Sequence, residues 1–148
     1  MATAIGPLAV RRSIWIDASP ARVWEEFADL EHMQAWFGTG HRLVRFALEV
    51  GAIVETDAGD GDDALRFVGK VVDIVPEREL SFEQDWVGHG WKAPPLITLR
   101  LTPHDGGTHV ELFHHGFEAN PDAAADHAGF EEGWTLRQLL RLRELVVD

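Results

Sequence analysis

The hydrophobic pattern changes period along the chain, and this change most restricts the folds that the chain can adopt. Over residues 43–116 apolar and polar side chains tend to alternate with a period of two, which is typical of strands with one buried face. Apolar residues recur at helical spacing before this stretch, over residues 20–37, and after it, over residues 123–147. The sequence therefore predicts an α+β fold in which helices flank a run of strands.

Turn-forming residues divide the central stretch into strands. A first strand is predicted at residues 8–16, and an alternating stretch from residue 43 bends at Gly51. Four further strands are predicted at residues 65–75, 79–87, 96–102 and 108–115. Because the connections between successive strands are short, an antiparallel meander is favoured.

Helix-starting signals stand at both ends of this meander. Ser19 and Asp29 are suitable N-caps for two short helices that follow the first strand. One long C-terminal helix is predicted over residues 123–147, with a length of about 38 Å at 1.5 Å per residue. Gly129 and Gly133 lie inside it, and each costs about 1 kcal/mol relative to alanine. They indicate a bend, or a close approach of the helix to another group such as a ligand.

Two polar residues interrupt the face of the sheet that is predicted to be buried. Alternation places Gln84 on this face beside Phe82 and Trp86, and His114 beside Leu112. Burial of either polar group without a partner would cost about 1–3 kcal/mol. Three interpretations are open: an internal hydrogen bond, orientation of a ligand, or catalysis by His114.

Composition excludes several classes of function. A formal net charge of −12 repels phosphate backbones, so no nucleic-acid partner is expected. Cysteine is absent, which excludes disulfides and thiolate metal sites, and the acidic run at residues 57–63 lacks the ligand pattern of a calcium loop. Neither a signal peptide nor a membrane span is predicted, and a cytoplasmic location is expected. No cofactor or metal is expected, because no dinucleotide, phosphate-loop or HExxH motif is present.

Five motifs, in the order of the chain, resemble one known superfamily. They are IDASPARVW at residues 16–24, QAWF at 34–37, GKVVDIVPERELSFEQDW at 69–86, GGTHVELFHHGF at 106–117 and EEGW at 131–134. This arrangement resembles the START/SRPBCC helix-grip superfamily, and within it the group similar to the activator of Hsp90 ATPase.

The resemblance implies one domain over residues 1–148. In it a curved antiparallel sheet of six to seven strands would grip the long C-terminal helix, and two short helices would roof a deep apolar cavity. Members of the superfamily bind lipids, sterols, polyketides or hormones, and some cyclise polyketides. Their catalytic groups vary, so the resemblance carries over no catalytic residue. It places Trp36, Phe37, Trp86, His114 and Trp134 at the cavity.

The residues and the resemblance together predict a site for a hydrophobic small molecule. Its predicted lining is Trp36, Phe37, Phe67, Phe82, Gln84, Trp86, Trp91, Leu99, Leu112, His114, Phe130 and Trp134. Two alternatives are an enzyme of the polyketide cyclase or aldolase type with His114 as general acid or base, and an interaction protein like an Hsp90 co-chaperone. A monomer or a weak homodimer is expected. The cavity hypothesis predicts that Trp134→Leu weakens ligand binding far more than it lowers stability.

Overall fold

Strands and helices follow one another in the order that the hydrophobic pattern predicts. The structure, a computed structural model, describes residues 4–58 and 65–147. The strands are β1 (Val10–Ile16), β2 (Arg42–Arg45), β3 (Ile53–Ala58), β4 (Leu65–Val75), β5 (Glu79–Glu83), β6 (Asp85–Trp86), β7 (Leu96–His104) and β8 (Gly107–His115). The α-helices are α1 (Pro20–Trp24), α2 (Leu30–Trp36), α3 (Ala123–Gly133) and α4 (Arg137–Val147), and 3₁₀ turns lie at Glu25–Phe27 and Phe117–Ala119.

The strands form one curled antiparallel sheet. Its order is β1-β8-β7-β5-β4-β3-β2, and the two-residue β6 pairs with β4 beside this path. The predicted α+β helix-grip class is confirmed, with two short helices after β1 and a helical C-terminal region. The acidic loop prediction falls mostly on residues 59–64, which lie outside the described residues.

The long strand β4 lets the sheet curl because it changes partner along its length. Residues after Val71 pair with β5 across a register shift, whereas Phe67 and Val68 pair with β6. Gly69 lies between these two pairings, where an added Cβ would overlap the carbonyl oxygen of Glu83. Glycine at this position therefore allows the close approach of the two chains.

The two short helices cover one part of the concave face of the sheet. Ser19 caps α1 by accepting from the Arg22 backbone N–H at 3.2 Å, and Asp29 caps α2 by accepting from that of His32 at 2.9 Å. Phe37, just after α2, packs edge to face on Phe82 of β5, with ring centroids 5.7 Å apart. This part of the concave face is therefore filled by the protein's own aromatic side chains.

The C-terminal helical region is broken in two. The prediction of one continuous helix over residues 123–147 is wrong at residues 134–136, because Trp134 is extended (φ −75°, ψ 134°) between α3 and α4. The Arg12 guanidinium on β1 donates to the carbonyl oxygens of Glu131 at 2.7 Å and Trp134 at 3.1 Å. It satisfies carbonyl groups that the end of α3 leaves without helical partners. Thr135 Oγ1 accepts from the Arg137 N–H at 3.2 Å, where α4 begins.

The two halves are held to the sheet by different forces. Helix α4 buries Gln138, Leu139, Leu142 and Val146, whereas no residue of α3 is fully buried. Helix α3 is attached through Arg12 and through His127, whose Nε2 lies 3.0 Å from the Ala9 carbonyl oxygen. Helix α4 is thus anchored by fully buried side chains, whereas α3 combines the packing of Phe130 with polar contacts at its C-terminal end and in its middle.

Replacing Arg12 by methionine is expected to lower the free energy of unfolding by about 2 kcal/mol, because its charge-assisted hydrogen bonds to the carbonyl oxygens of Glu131 and Trp134 are lost. Hydrogen exchange should accelerate in α3 and not in α4. Arg11→Met on the same strand is the matched control. The Arg11 side chain pairs with Glu111 and is 59% exposed, so about 1 kcal/mol or less is expected. Equal losses in the two variants would contradict the capping role of Arg12.

Helices α3 and α4 have 11 residues each. Among the described residues, no helix combines the length and the apolar character that crossing a membrane requires.

Candidate ligand-binding site

Two adjoining cavities lie between α3 and the end of the sheet formed by β3 and β4. The first, of about 190 Å³, is lined by His41, Thr56, Ala58, Leu65, Phe67, Gln84, Phe130, Gly133, Trp134, Arg137 and Gln138. The second, of about 400 Å³, is lined by Leu65, Phe67, Trp86, Ala125, Asp126, Gly129, Phe130 and Gly133. Four residues line both, so the two cavities lie on either side of a shared aromatic wall.

The shared wall is built from rings on facing elements. Phe67 projects from β4 and Phe130 from α3, and their ring centroids are 6.4 Å apart. Trp86 stands 6.0 Å from Phe67 and 6.4 Å from Phe130, which extends the aromatic wall along the second cavity. Such a surface suits the flat apolar body of a small molecule.

Glycines of α3 leave space beside this wall. A Cβ added at Gly129 or Gly133 would meet no atom within 4 Å outside the helix and the adjacent residues. Together with Ala125 they line the second cavity, one helical turn apart from each other. The stripe of small residues that the sequence shows on this helix therefore borders open space.

A loop between β6 and β7 is fastened to α3 beside the second cavity. The Asp126 carboxylate accepts a 2.8 Å hydrogen bond from Trp91 Nε1, and its other oxygen lies 3.0 Å from His89 Nε2. The His89 ring stacks on Trp86 at 4.1 Å. Gly88 adopts a positive φ of 87°, which turns the chain so that His89 can reach this position.

Polar groups are concentrated at the first cavity. Gln138 is 3% exposed, and its Nε2 donates to the Thr39 carbonyl oxygen at 3.2 Å, while its buried Oε1 has no hydrogen-bond partner in the part of the chain that the structure describes. The side chains of His41, Thr56, Gln84 and Arg137 line the same cavity. The lining of this cavity therefore combines groups that can hydrogen-bond a ligand with aromatic rings that can pack against one.

His41 is a neutral group among the polar residues that line the first cavity. Burial, followed by the nearby positive charge of Arg137, lowers the pKa of His41 to about 4. At neutral pH the uncharged imidazole has one nitrogen that donates a hydrogen bond and one that accepts it. Arg137 thus brings a positive charge to this cavity, and His41 does not add to it.

His114 lies behind the cavity wall. It is fully buried, its ring centroid is 4.4 Å from that of Phe130, and its Nδ1 accepts a 3.0 Å hydrogen bond from Trp134 Nε1. Burial, followed by the charges of His115 and His127, lowers the pKa of His114 to about 3. Since Nδ1 accepts, the proton of the neutral ring is on Nε2, for which residues 4–58 and 65–147 offer no hydrogen-bond partner. His114 therefore orients Trp134 from behind the cavity wall. The hydrogen-bond partner of His114 is Trp134 and not Gln84.

The residues predicted to form the site fall into three groups in the structure. The first lines the cavities: Phe67, Gln84, Trp86, Phe130 and Trp134. The second adjoins this lining: His114, and Trp91, whose ring lies 6.1 Å from those of Trp86 and Phe130. The third is buried in the core: Trp36, Phe37, Phe82, Leu99 and Leu112.

Other lining residues were missed by sequence reasoning. They are His41, Thr56, Ala58, Leu65, Asp126, Arg137 and Gln138. A signal existed for Gln138, because it stands in the apolar arc of α4 next to Leu139 and one turn before Leu142. A polar residue in such an arc indicates a partner or a site.

A sheet curled against a C-terminal helical region, with cavities between the two, defines a helix-grip protein of the START/SRPBCC class. The family model described as "Activator of Hsp90 ATPase homolog 1-like protein" matches residues 17–146. The chain therefore belongs to this family.

Solved structures share the fold at low sequence identity. Protein CV1439 from Chromobacterium violaceum is 20% identical, with a TM-score of 0.73 over 97% of this chain and 99% of that one. DynU16, a protein of the dynemicin biosynthetic locus, is 23% identical, with a TM-score of 0.67 over 94% of this chain and 47% of its own. The Aha1 dimer from Colwellia psychrerythraea is 17% identical, with a TM-score of 0.65 over 93% and 95%. No functionally curated protein sequence matches the chain.

Proposed function

We propose that this protein binds a hydrophobic small molecule, of the aromatic or polyketide type, in the two cavities between α3 and the sheet. The observation that carries the proposal is open space between an aromatic wall and two helical glycines, Gly129 and Gly133. Glycine is unfavourable inside a helix, so the use of Gly129 within α3, facing a cavity, is accounted for by a ligand that occupies the space. The fold shared with DynU16, from the dynemicin biosynthetic locus, supports a ligand of this class.

The proposed roles of the lining residues follow from their positions. Phe67, Trp86, Phe130 and Trp134 would pack against the apolar body of the ligand, and Gln84 would hydrogen-bond it. The fully buried residues Trp36, Phe37, Phe82, Leu99 and Leu112 would support this lining from the core.

Binding is favoured over catalysis by the surroundings of His114. A general acid or base must come within hydrogen-bonding distance of its substrate. His114 is fully buried, lines neither cavity, and uses Nδ1 to accept from Trp134. The geometry thus supports a positioning role for His114.

The proposal is tested by filling the cavities from α3. The probes are three compounds that share a naphthalene body: 2-(2-naphthyl)ethanol, 2-naphthylacetic acid and 2-naphthylglycolic acid. Gly133 lines both cavities, so Gly133→Leu is expected to lower the affinity for all three by about tenfold or more. Stability should change little, because Gly133 is the last residue of α3 and an added Cβ there meets no neighbouring atom within 4 Å. Affinities are measured by titration calorimetry.

Ala128→Leu is the matched control, since Ala128 is an exposed residue of the same helix that lines neither cavity. It should leave the affinities unchanged. For the unmodified protein, a probe at 100 times its dissociation constant should raise the unfolding midpoint by about 5–10 °C. The absence of any such shift, or equal affinities in the two leucine variants, would reject the cavity as the binding site.

A further inference from the structure

Gln138, which lines the first cavity, carries a buried hydrogen-bond acceptor that has no partner among the described residues. The Gln138 amide cannot be turned over, because its Nε2 donates to the Thr39 carbonyl oxygen and an oxygen in that place would be repelled. Oε1 is therefore the free atom, in a side chain that is 3% exposed. Buried polar atoms without a partner are rare in folded proteins, and this one belongs to a residue that lines a cavity. A ligand that donates a hydrogen bond would satisfy it.

A positive charge stands beside this acceptor. Arg137 precedes Gln138 at the start of α4 and lines the same cavity. Its guanidinium packs on Gly40, where an added Cβ would overlap it, and the φ of +86° at Gly40 permits the turn that makes room for it. Among the described residues Arg137 forms no ion pair with a carboxylate, although the chain as a whole carries 25 acidic side chains. A ligand carboxylate would complement this charge.

We propose that the ligand is an aromatic hydroxy acid, which packs its rings against Phe67, Phe130 and Trp134, donates its hydroxyl group to Gln138 Oε1 and places its carboxylate against Arg137. This inference rests on the proposed function and specifies its ligand. The neutral His41 ring lines the same cavity, where it can donate a further hydrogen bond to the carboxylate without adding a second positive charge. The aromatic body of such a ligand would thus meet the aromatic rings of the lining, and its acidic head group would meet the polar side chains.

Three probes with the same naphthalene body separate the two head-group contacts. 2-Naphthylglycolic acid carries both the hydroxyl and the carboxylate, 2-naphthylacetic acid lacks the hydroxyl, and 2-(2-naphthyl)ethanol lacks the carboxylate. The unmodified protein is expected to bind the glycolic acid about 5–10-fold more tightly than the acetic acid. It should bind the glycolic acid about 10–100-fold more tightly than the alcohol, because contacts with a charged group are stronger.

Two variants assign these differences to residues. Gln138→Met keeps the size of the side chain and removes the acceptor. The affinity for the acetic acid should therefore stay unchanged, and the affinity for the glycolic acid should fall to the same value. Arg137→Gln, at an exposed position that tolerates substitution, should remove the preference for both acids over the alcohol. Arg141→Gln is its control, one turn further along α4, where the side chain pairs with Glu144 outside both cavities.

The outcomes distinguish the head-group inference from the proposed function. If the three probes bind with equal affinity and Gly133→Leu weakens them all, the cavity binds ligands but the hydroxy acid is rejected. If the preferences exist but persist in both Gln138→Met and Arg137→Gln, the assignment to these residues is rejected. If no probe binds, the inference fails together with the proposed function. Should Gln138→Met fail to fold, the Arg137→Gln comparison decides, because that residue is not part of the core.

Discussion

Replacing Trp134 by leucine is expected to lower the free energy of unfolding by about 3–5 kcal/mol. The indole fills the joint between α3 and α4 and packs against Phe37, with ring centroids 6.3 Å apart. Its Nε1 also donates to His114 Nδ1, and loss of this donor leaves a fully buried imidazole with no partner on either nitrogen. Urea unfolding followed by circular dichroism measures the loss.

Two further substitutions separate the ring from its hydrogen bond. Trp134→Phe keeps an aromatic ring but removes the donor, so about 1–3 kcal/mol should be lost. Trp15→Leu is the comparison at the surface: Trp15 is 41% exposed, although its Nε1 also donates, to the His104 carbonyl oxygen at 2.8 Å. Its replacement should cost less than that of Trp134. A Trp134→Leu protein as stable as the Trp15→Leu protein would refute the structural role of Trp134.

This result changes how the cavity can be tested. From the sequence, Trp134→Leu is expected to affect binding far more than stability, because Trp134 is taken there as a cavity wall. In the structure Trp134 lines the first cavity but also connects the helices to His114. One substitution would therefore lower both binding and stability. Gly133 has no such second role, since a side chain there enters open space, and it gives the cleaner test.

The sequence was most informative where local rules decide the structure. Alternation and turn residues predicted β4 with both of its ends, and the caps Ser19 and Asp29 start helices as expected. The break at residues 134–136 could not be predicted in the same way. It is stabilised by Arg12, which lies 122 positions away from Trp134 in sequence and reaches it only once β1 has joined the sheet. The two glycines of α3 indicated a bend but not its position.

The site was predicted less completely than the fold, for a related reason. Period-two alternation identifies which side chains face the concave side of the sheet, but not which part of that side is covered. Helix α2 and its neighbour Phe37 cover Phe82, so this ring belongs to the core. Phe67, on a strand with the same pattern, faces α3 and the open space beside its glycines. Only the positions of the helices distinguish the two.

Lowering the pH from 7.5 to 5.5 is expected to destabilise the protein through histidines that fold in the neutral form. The pKa values of His114, about 3, and His41, about 4, lie below the value of about 6.5 that an exposed histidine has. Below pH 6.5 the unfolded chain binds protons at these positions and the folded chain does not, so stability rises with pH across this window. Each such imidazole contributes about 1.4 kcal/mol between the two pH values.

Two other histidines modify this trend in opposite directions. Burial also lowers the pKa of His115, which adds to the loss of stability on acidification. A hydrogen bond that the His32 ring donates to the Asp29 carboxylate raises the pKa of this exposed histidine, which gives a small opposing effect. The net dependence should still follow the buried rings, because the Asp29 pair is surrounded by water and screened by salt.

The contribution of His114 can be isolated by His114→Asn. The asparagine carbonyl oxygen can take the place of Nδ1 as the acceptor for Trp134, but it does not titrate, so about one proton fewer should be taken up on unfolding near pH 5.5. Leu112→Val is the control, because it disturbs the same buried face of β8 without removing a titratable group, and it should lower stability equally at both pH values. An unchanged pH dependence in His114→Asn would mean that His114 is charged in the folded protein. A charged ring would be a donor at both nitrogens, so the hydrogen bond from Trp134 would be lost and the joint between α3 and α4 could not be held as described.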